Sequence, residues 1–155
     1  MQTQINAPAE RCFDLARSID FHLHSVSKTK EKAVGGITSG LISQGQQVQW
    51  RARHFGLWFN MTVAITEMER PIHFQDEMIN GPFRYFRHKH TFTQQNHGTS
   101  MVDHVEFASP IPVLGSLADI FLLQHHLKHF LQARNRVLKA AAESDQWRNY
   151  LSSPE

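Results

Sequence analysis

Hydrophobic and polar positions alternate through the middle of the chain, from residue 48 to residue 108. In each alternating segment, every second position is usually a large apolar residue, as in strands that bury one face. Short turns rich in glycine, proline or asparagine separate the segments, so neighbouring strands are expected to be antiparallel. The predicted strands span residues 48–54, 58–66, 72–79, 84–93 and 100–108, with weaker signals at 3–6 and 29–34.

Helical spacing replaces the alternation after the last predicted strand. From residue 114 to residue 147, apolar residues recur every three or four positions, which predicts one long amphipathic helix of at most about nine turns. Arg134 interrupts the apolar face of this helix. Two interpretations stay open for it: the guanidinium reaches water, or it pairs with a buried carboxylate on the sheet. Two short helices are predicted near the N-terminus, around residues 9–19 and 20–27.

Four segments give the chain a family resemblance: VQWRARHFG at 48–56, PIHFQDEM at 71–78, GPFRYFRH at 81–88 and LQARN at 131–135. Together with the element order, they resemble the START and Bet v 1-like helix-grip superfamily, and within it the bacterial polyketide cyclase-like proteins. The resemblance implies an α+β fold in which a curved antiparallel sheet of about seven strands wraps around a long C-terminal helix. It also implies a deep cavity between sheet and helix. No linker, internal repeat or low-complexity segment divides the chain, so a single domain is predicted over residues 1–155, with a frayed tail from residue 150.

Composition is that of an ordinary soluble protein. Of the 155 residues, 41% are hydrophobic and 19% are charged, and the formal net charge is +2. No basic block favours nucleic-acid binding, no apolar run has the length of a membrane span, and the polar N-terminus does not resemble a signal peptide. The single cysteine, Cys12, forms no disulfide within the chain, so a cytoplasmic location is predicted.

Five polar residues occupy positions where the alternation predicts inward-facing side chains: His54, Asp76, His88, His90 and Asp103. A buried charge or imidazole is costly unless it is paired or hydrated. We therefore expect these residues to form a polar floor in the cavity, with Arg134 reaching Asp76 or Asp103. A structural ion-pair network, or exposure to solvent through a bulge, are the alternatives.

Metal binding and catalysis are further interpretations of the same residues. His88 and His90 share a strand face, and His125 and His129 are one helical turn apart. Neither pair has a third ligand in sequence register, so no metal and no cofactor is predicted. A buried histidine beside an aspartate also suits general-base chemistry. The enzyme alternative is a cyclase or dehydratase for a polyketide-like substrate, with His88 or His54 as the base.

The predicted function is non-catalytic binding or carriage of a small, mostly apolar molecule that is lipid-like, polyketide-like or aromatic. Arg134 would neutralise a carboxylate or meet an acidic group of the ligand. An interaction protein with a filled cavity is a third possibility. Leu114, Leu117 and Phe121 lie off the main apolar face of the long helix, where they would cover the cavity mouth or form a homodimer contact. The predicted ligand contacts are Trp50, His54, Phe74, Asp76, Phe86, His88, His90, Met101, Asp103 and Arg134.

Overall fold

The computed structural model describes residues 1–27, 30–54, 56–108 and 117–151, with the backbone alone for residues 54 and 117–120. Its strands are β1 (Gln2–Ile5), β2 (Lys32–Gly36), β3 (Gln47–His54), β4 (Leu57–Glu69), β5 (His73–Asn80), β6 (Tyr85–Gln95) and β7 (Gly98–Ala108). The helices are α1 (Ala9–Ala16), α2 (Ile19–Ser25) and α3 (Leu117–Ala142). All seven strands form one antiparallel sheet in the order β1-β7-β6-β5-β4-β3-β2, so the predicted α+β arrangement is confirmed.

The last helix is shorter than predicted. α3 ends at Ala142 rather than at Trp147, so its 26 residues make about seven turns. The chain turns at Ser144, whose hydroxyl caps a short 3-10 helix over Asp145–Asn149. Trp147 still packs against the core, and the Arg11 guanidinium lies 4.5 Å from its ring centre. Because Trp147 continues the apolar spacing beyond the end of α3, this spacing alone does not reveal where the helix ends.

The C-terminal segment packs against the rest of the protein for two residues more than the sequence predicted. Tyr150 contacts Phe21 edge to face, with ring centres 5.1 Å apart, and Leu151 packs against the core. The prediction of a frayed tail from residue 150 is therefore wrong for these two residues, and its remainder, 152–155, lies outside the described residues.

Strand boundaries differ most from the prediction at the β4–β5 hairpin. A turn was expected at 67–71, whereas β4 continues to Glu69, which pairs with His73. The register shifts between Ile65 and Glu67, and such a bulge reverses the alternation of a strand beyond it. A period-two pattern therefore misses the end of β4. β2 begins at Lys32 rather than at residue 29.

The packed core lies beneath α1 and the C-terminal half of α3. Phe13 of α1 meets Phe74 and Phe92 of the sheet edge to face, with ring centres 5.3 Å and 5.4 Å apart. Leu138 and Ala141 of α3 are buried in the same core. Burying a side chain the size of leucine or phenylalanine stabilises a fold by about 1.5–3 kcal/mol. Among the described helices, none is long and apolar enough to cross a membrane.

Candidate functional site

A cavity of about 310 Å³ separates the N-terminal half of α3 from the sheet. This volume is within the range of sites that hold small organic molecules. Apolar side chains from β3 to β6 and from α3 form most of the wall, including Trp50, Val63, Phe74, Phe86, Leu127 and Phe130. The predicted cavity between sheet and last helix is thus present in the described part of the chain.

Seven of the ten predicted ligand contacts line this cavity: Trp50, Phe74, Asp76, Phe86, His88, His90 and Arg134. Met101 does not line it, because the half of β7 that pairs with β1 runs through the packed core. Asp103 lies behind the two strand histidines rather than in the wall. The side chain of His54, the last residue of β3, lies outside the described residues.

Asp76, His88, His90 and Asp103 form a buried group that we call the acid–histidine cluster. Asp76 lies across the β5–β6 pair from His88, and Asp103 lies across the β6–β7 pair from His90. His88 Nε2 donates to Asp103 Oδ1 at 3.0 Å, and His90 Nδ1 lies 2.9 Å from the same oxygen. Asn135 of α3 donates to the other oxygen of Asp103. His90 Nε2 lies 3.5 Å from Asp76 Oδ1, so neither aspartate points freely into solvent.

Burial and neighbouring charges set the protonation states of the cluster. Burial and the charge of His90 lower the pKa of His88 to about 4, although Asp103 opposes this shift. Burial also disfavours a charged His90, but the adjacent carboxylates of Asp103 and Asp76 outweigh it and raise the pKa of His90. Burial disfavours the ionised aspartates too, yet the histidines hold the pKa of both carboxyl groups below the usual range. The arrangement favours a neutral His88 and a protonated His90 between two carboxylates.

Arg134 reaches the cavity from α3 without pairing with either aspartate. Its Nη2 donates to the carbonyl oxygen of Ala16 at 3.0 Å. Ala16 ends α1, and the last carbonyls of a helix have no acceptor role inside the helix, so they attract donors from elsewhere. The predicted ion pair of Arg134 with a sheet carboxylate is absent from the described residues, and at 4% exposure the residue does not reach the surface either. Its Nε and Nη1 are buried and have no hydrogen-bond partner among the described residues.

No family model and no curated protein sequence matches this chain. Solved structures match it by fold. TTHA0849 from Thermus thermophilus aligns with a TM-score of 0.71 at 18% identity, over 92% of this chain and 97% of that chain. The di-domain ARO/CYC StfQ from the steffimycin biosynthetic pathway aligns with a TM-score of 0.73 at 13% identity, over 94% of this chain and 50% of that one. Ginseng major latex-like protein 151 from Panax ginseng aligns with a TM-score of 0.64 at 11% identity, over 92% and 94%.

The chain has the START/Bet v 1-like helix-grip fold. At these identities the likeness concerns the fold, and the chemistry of the helix-grip cavity has to be argued from its own residues.

Sequence reasoning missed a second polar group in the helix-grip cavity, on α2 and the segment before β2. His22 stacks on Trp50 with ring centres 4.3 Å apart, and its Nε2 lies 3.0 Å from a carboxylate oxygen of Glu31. Both His22 and Glu31 line the cavity, as does His126 of α3. The three-residue spacing from the buried Ile19 to His22 is a signal that places both on one helix face.

The cluster also contains three possible metal ligands. Ligand atoms of Asp76, His88 and His90 lie within 4.8 Å of one another, so cross-strand pairing supplies the third ligand that sequence spacing did not. The raised pKa of His90 disfavours the neutral imidazole that a divalent cation needs, and the Arg134 charge would oppose the cation. The site therefore suits an organic ligand better than a metal. His125 and His129 are exposed and meet edge to face with ring centres 4.3 Å apart, and no third ligand joins them among the described residues.

Cys12 is a packing residue of α1. It is fully buried in the core, and this burial raises the pKa of its thiol to about 11. A thiol with such a pKa holds almost no thiolate near neutral pH, so it is a poor nucleophile. The sequence interpretation of Cys12 as packing rather than reactive agrees with this environment.

Proposed function

We propose that this chain binds or carries a small, mostly apolar organic molecule in the cavity between the sheet and α3. The observation that carries the proposal is the cavity of about 310 Å³, whose walls are mainly apolar and whose polar groups are few. This combination is typical of small-molecule sites. A helix-grip neighbour named as an ARO/CYC of a biosynthetic pathway is compatible with such a role. The alternative, an interaction protein without a ligand, predicts a filled interior, and the cavity argues against it.

The described side chains suggest how a ligand would lie. Trp50, Phe74 and Phe86 offer apolar and aromatic surface for the body of the molecule. His88, which lines the cavity, offers an uncharged imidazole to its polar end. Asp103 holds that imidazole from behind and does not touch the cavity. Asp103 therefore acts in the proposal as a positioning residue.

Binding of N-phenyl-1-naphthylamine, a neutral dye that brightens in apolar surroundings, tests the proposal. We expect saturable fluorescence with one dye per chain, because the described residues enclose a cavity of small-molecule size. Native mass spectrometry of protein purified from its own source is expected to show an added mass from a co-purifying molecule. Dye fluorescence that rises without saturation, together with a clean mass of the bare chain, would contradict the proposal.

A cyclase or dehydratase remains the second candidate, since His88 lines the cavity and donates to Asp103 at 3.0 Å. A general base works best when its pKa is near the working pH. The pKa of about 4 makes His88 a weak proton acceptor near neutral pH. His90 has a raised pKa, but it is already held by two carboxylates. These protonation states favour binding over catalysis.

We expect His88 to stay neutral as the pH falls from about 8 to about 5, because its pKa is lowered from 6.5 to about 4. The stability that His88 contributes is then present above about pH 6.5 and is lost towards about pH 4, since the unfolded chain takes up the proton first. The raised pKa of His90 acts in the opposite direction. Imidazole ¹⁵N shifts measured by NMR report the charge, and His88→Asn assigns the signal. Titration of His88 near pH 7 would instead favour the general-base candidate.

A further inference from the structure

Arg134 lines the cavity, and its guanidinium carries buried hydrogen-bond donors that have no acceptor among the described residues. Nη2 donates to the Ala16 carbonyl oxygen, but Nε and Nη1, which carry three N–H groups between them, have no acceptor in the part of the chain that the structure describes. The residue is only 4% exposed, so its charge is largely withdrawn from bulk water. A buried cation with unmet donors is costly, and such a cost is offset when a ligand supplies the missing acceptors.

We infer that Arg134 binds an anionic group of the molecule held in the cavity, with a carboxylate as the expected group. The inference rests on the proposed function and defines the ligand class as an amphipathic organic anion with an apolar body. Guanidinium–carboxylate hydrogen bonds are short and charge-assisted, and they are stronger than those to a neutral acceptor.

The acids in and behind the cavity wall are already engaged with histidines. Asp103 and Asp76 flank His90 at 2.9 Å and 3.5 Å. Glu31 lies 3.0 Å from His22. No described carboxylate is within ion-pair distance of Arg134, although the sheet that carries two of these acids faces α3. Among the residues whose side chains are described, the Arg134 charge therefore has no direct counter-ion, and a ligand in the cavity that Arg134 lines could supply one.

The surroundings of Arg134 suit the remainder of such a molecule. Leu127, Phe130 and Leu131 precede it by seven, four and three positions on α3, share its helix face, and line the cavity. An anionic group at Arg134 would therefore have its apolar body along α3.

Two dyes with one ring system test the inference. 8-Anilinonaphthalene-1-sulfonate carries a sulfonate, and N-phenyl-1-naphthylamine lacks it. We expect Arg134→Met to weaken sulfonate-dye binding about tenfold or more, and neutral-dye binding less than about twofold. The control is Arg136→Met, which removes the same charge from an exposed position of the same helix and should leave both dyes unchanged. Arg134→Met is expected to fold, because an apolar side chain of similar length is often tolerated in place of a buried ion.

The outcomes separate the inference from the proposed function. Selective loss of the sulfonate dye in Arg134→Met supports the inference. Equal loss of both dyes would overturn it, since Arg134 would then only shape the cavity, and unchanged sulfonate-dye affinity would overturn it as well. If the neutral dye binds the natural protein and the sulfonate dye does not, the inference about Arg134 fails while the proposed function stands. If neither dye binds, the proposed function fails with it.

A competition on the natural protein needs no variant. Decanoic acid and 1-decanol have the same chain length and differ in the anionic group. We expect the acid to displace N-phenyl-1-naphthylamine at a concentration about tenfold lower than the alcohol. Equal displacement, or better displacement by the alcohol, would overturn the inference, because hydrophobicity alone favours the alcohol.

Discussion

Asp103→Asn is expected to lower the free energy of unfolding by about 3–5 kcal/mol, the usual cost of removing one member of a buried charge pair. The Asp103 side chain is fully buried, accepts from His88 and Asn135, and lies 2.9 Å from His90. An asparagine has one acceptor oxygen, so it cannot satisfy both donors, and it leaves His90 with less negative charge beside it. Urea denaturation followed by circular dichroism measures the change.

Glu106→Gln is the matched control for this prediction. Glu106 lies on the same strand, but its side chain is 45% exposed and pairs with His104 and Arg87 at the surface. Exposed ion pairs contribute at most about 1 kcal/mol, so the control should lose little stability. If both variants lost similar stability, the acid–histidine cluster would not hold its charges as described.

The sequence predicted much of the fold because each strand buries one face. Val48, Trp50 and Ala52 alternate in sequence, and all three are buried in the structure. What the alternation could not predict is where an element stops. The end of β4 follows a bulge, and the chain beyond α3 turns at Ser144, whose hydroxyl caps the 3-10 helix that follows. Both are local events that leave the apolar spacing almost unchanged.

The sequence could predict only some of the neighbour relations in the candidate site, because the turns that connect the strands differ in how well they fix the register. Asn96 and His97 form a two-residue turn, which sets the β6–β7 register and so places His90 opposite Asp103. That neighbour relation was available from the sequence. The loop between β5 and β6 is longer, and such loops do not determine a register, so the pairing of Asp76 with His88 required the structure.

Arg134 shows most clearly which contacts cannot be predicted from the spacing of residues in the sequence. Helical spacing placed it on the apolar face of α3, and the structure confirms that it is buried. Its acceptor, the Ala16 carbonyl oxygen, belongs to another helix 118 positions earlier, and no periodic pattern reports such a contact. His22 and Glu31 were missed for a similar reason, because their meeting depends on how α2 and the segment before β2 pack.

Val105→Trp is expected to weaken binding of N-phenyl-1-naphthylamine about 100-fold, the upper end of the cost of overpacking an occupied site. Val105 lines the cavity from β7, directly across from His88 on β6. An indole at this position takes up space that a ligand would need. Because it fills an existing cavity rather than a packed core, the free energy of unfolding should change little. Fluorescence titration gives the affinity, and urea denaturation gives the stability.

Val102→Trp adds the same indole to the same strand on the opposite face, where Val102 is 38% exposed. It should leave dye binding unchanged, since alternate residues of a strand point to opposite sides of the sheet. A loss confined to Val105→Trp would locate the dye between the sheet and α3. If Val105→Trp bound the dye as tightly as Val102→Trp does, the dye would bind elsewhere on the molecule. The proposed cavity site, and with it the anion-binding role of Arg134, would then be contradicted.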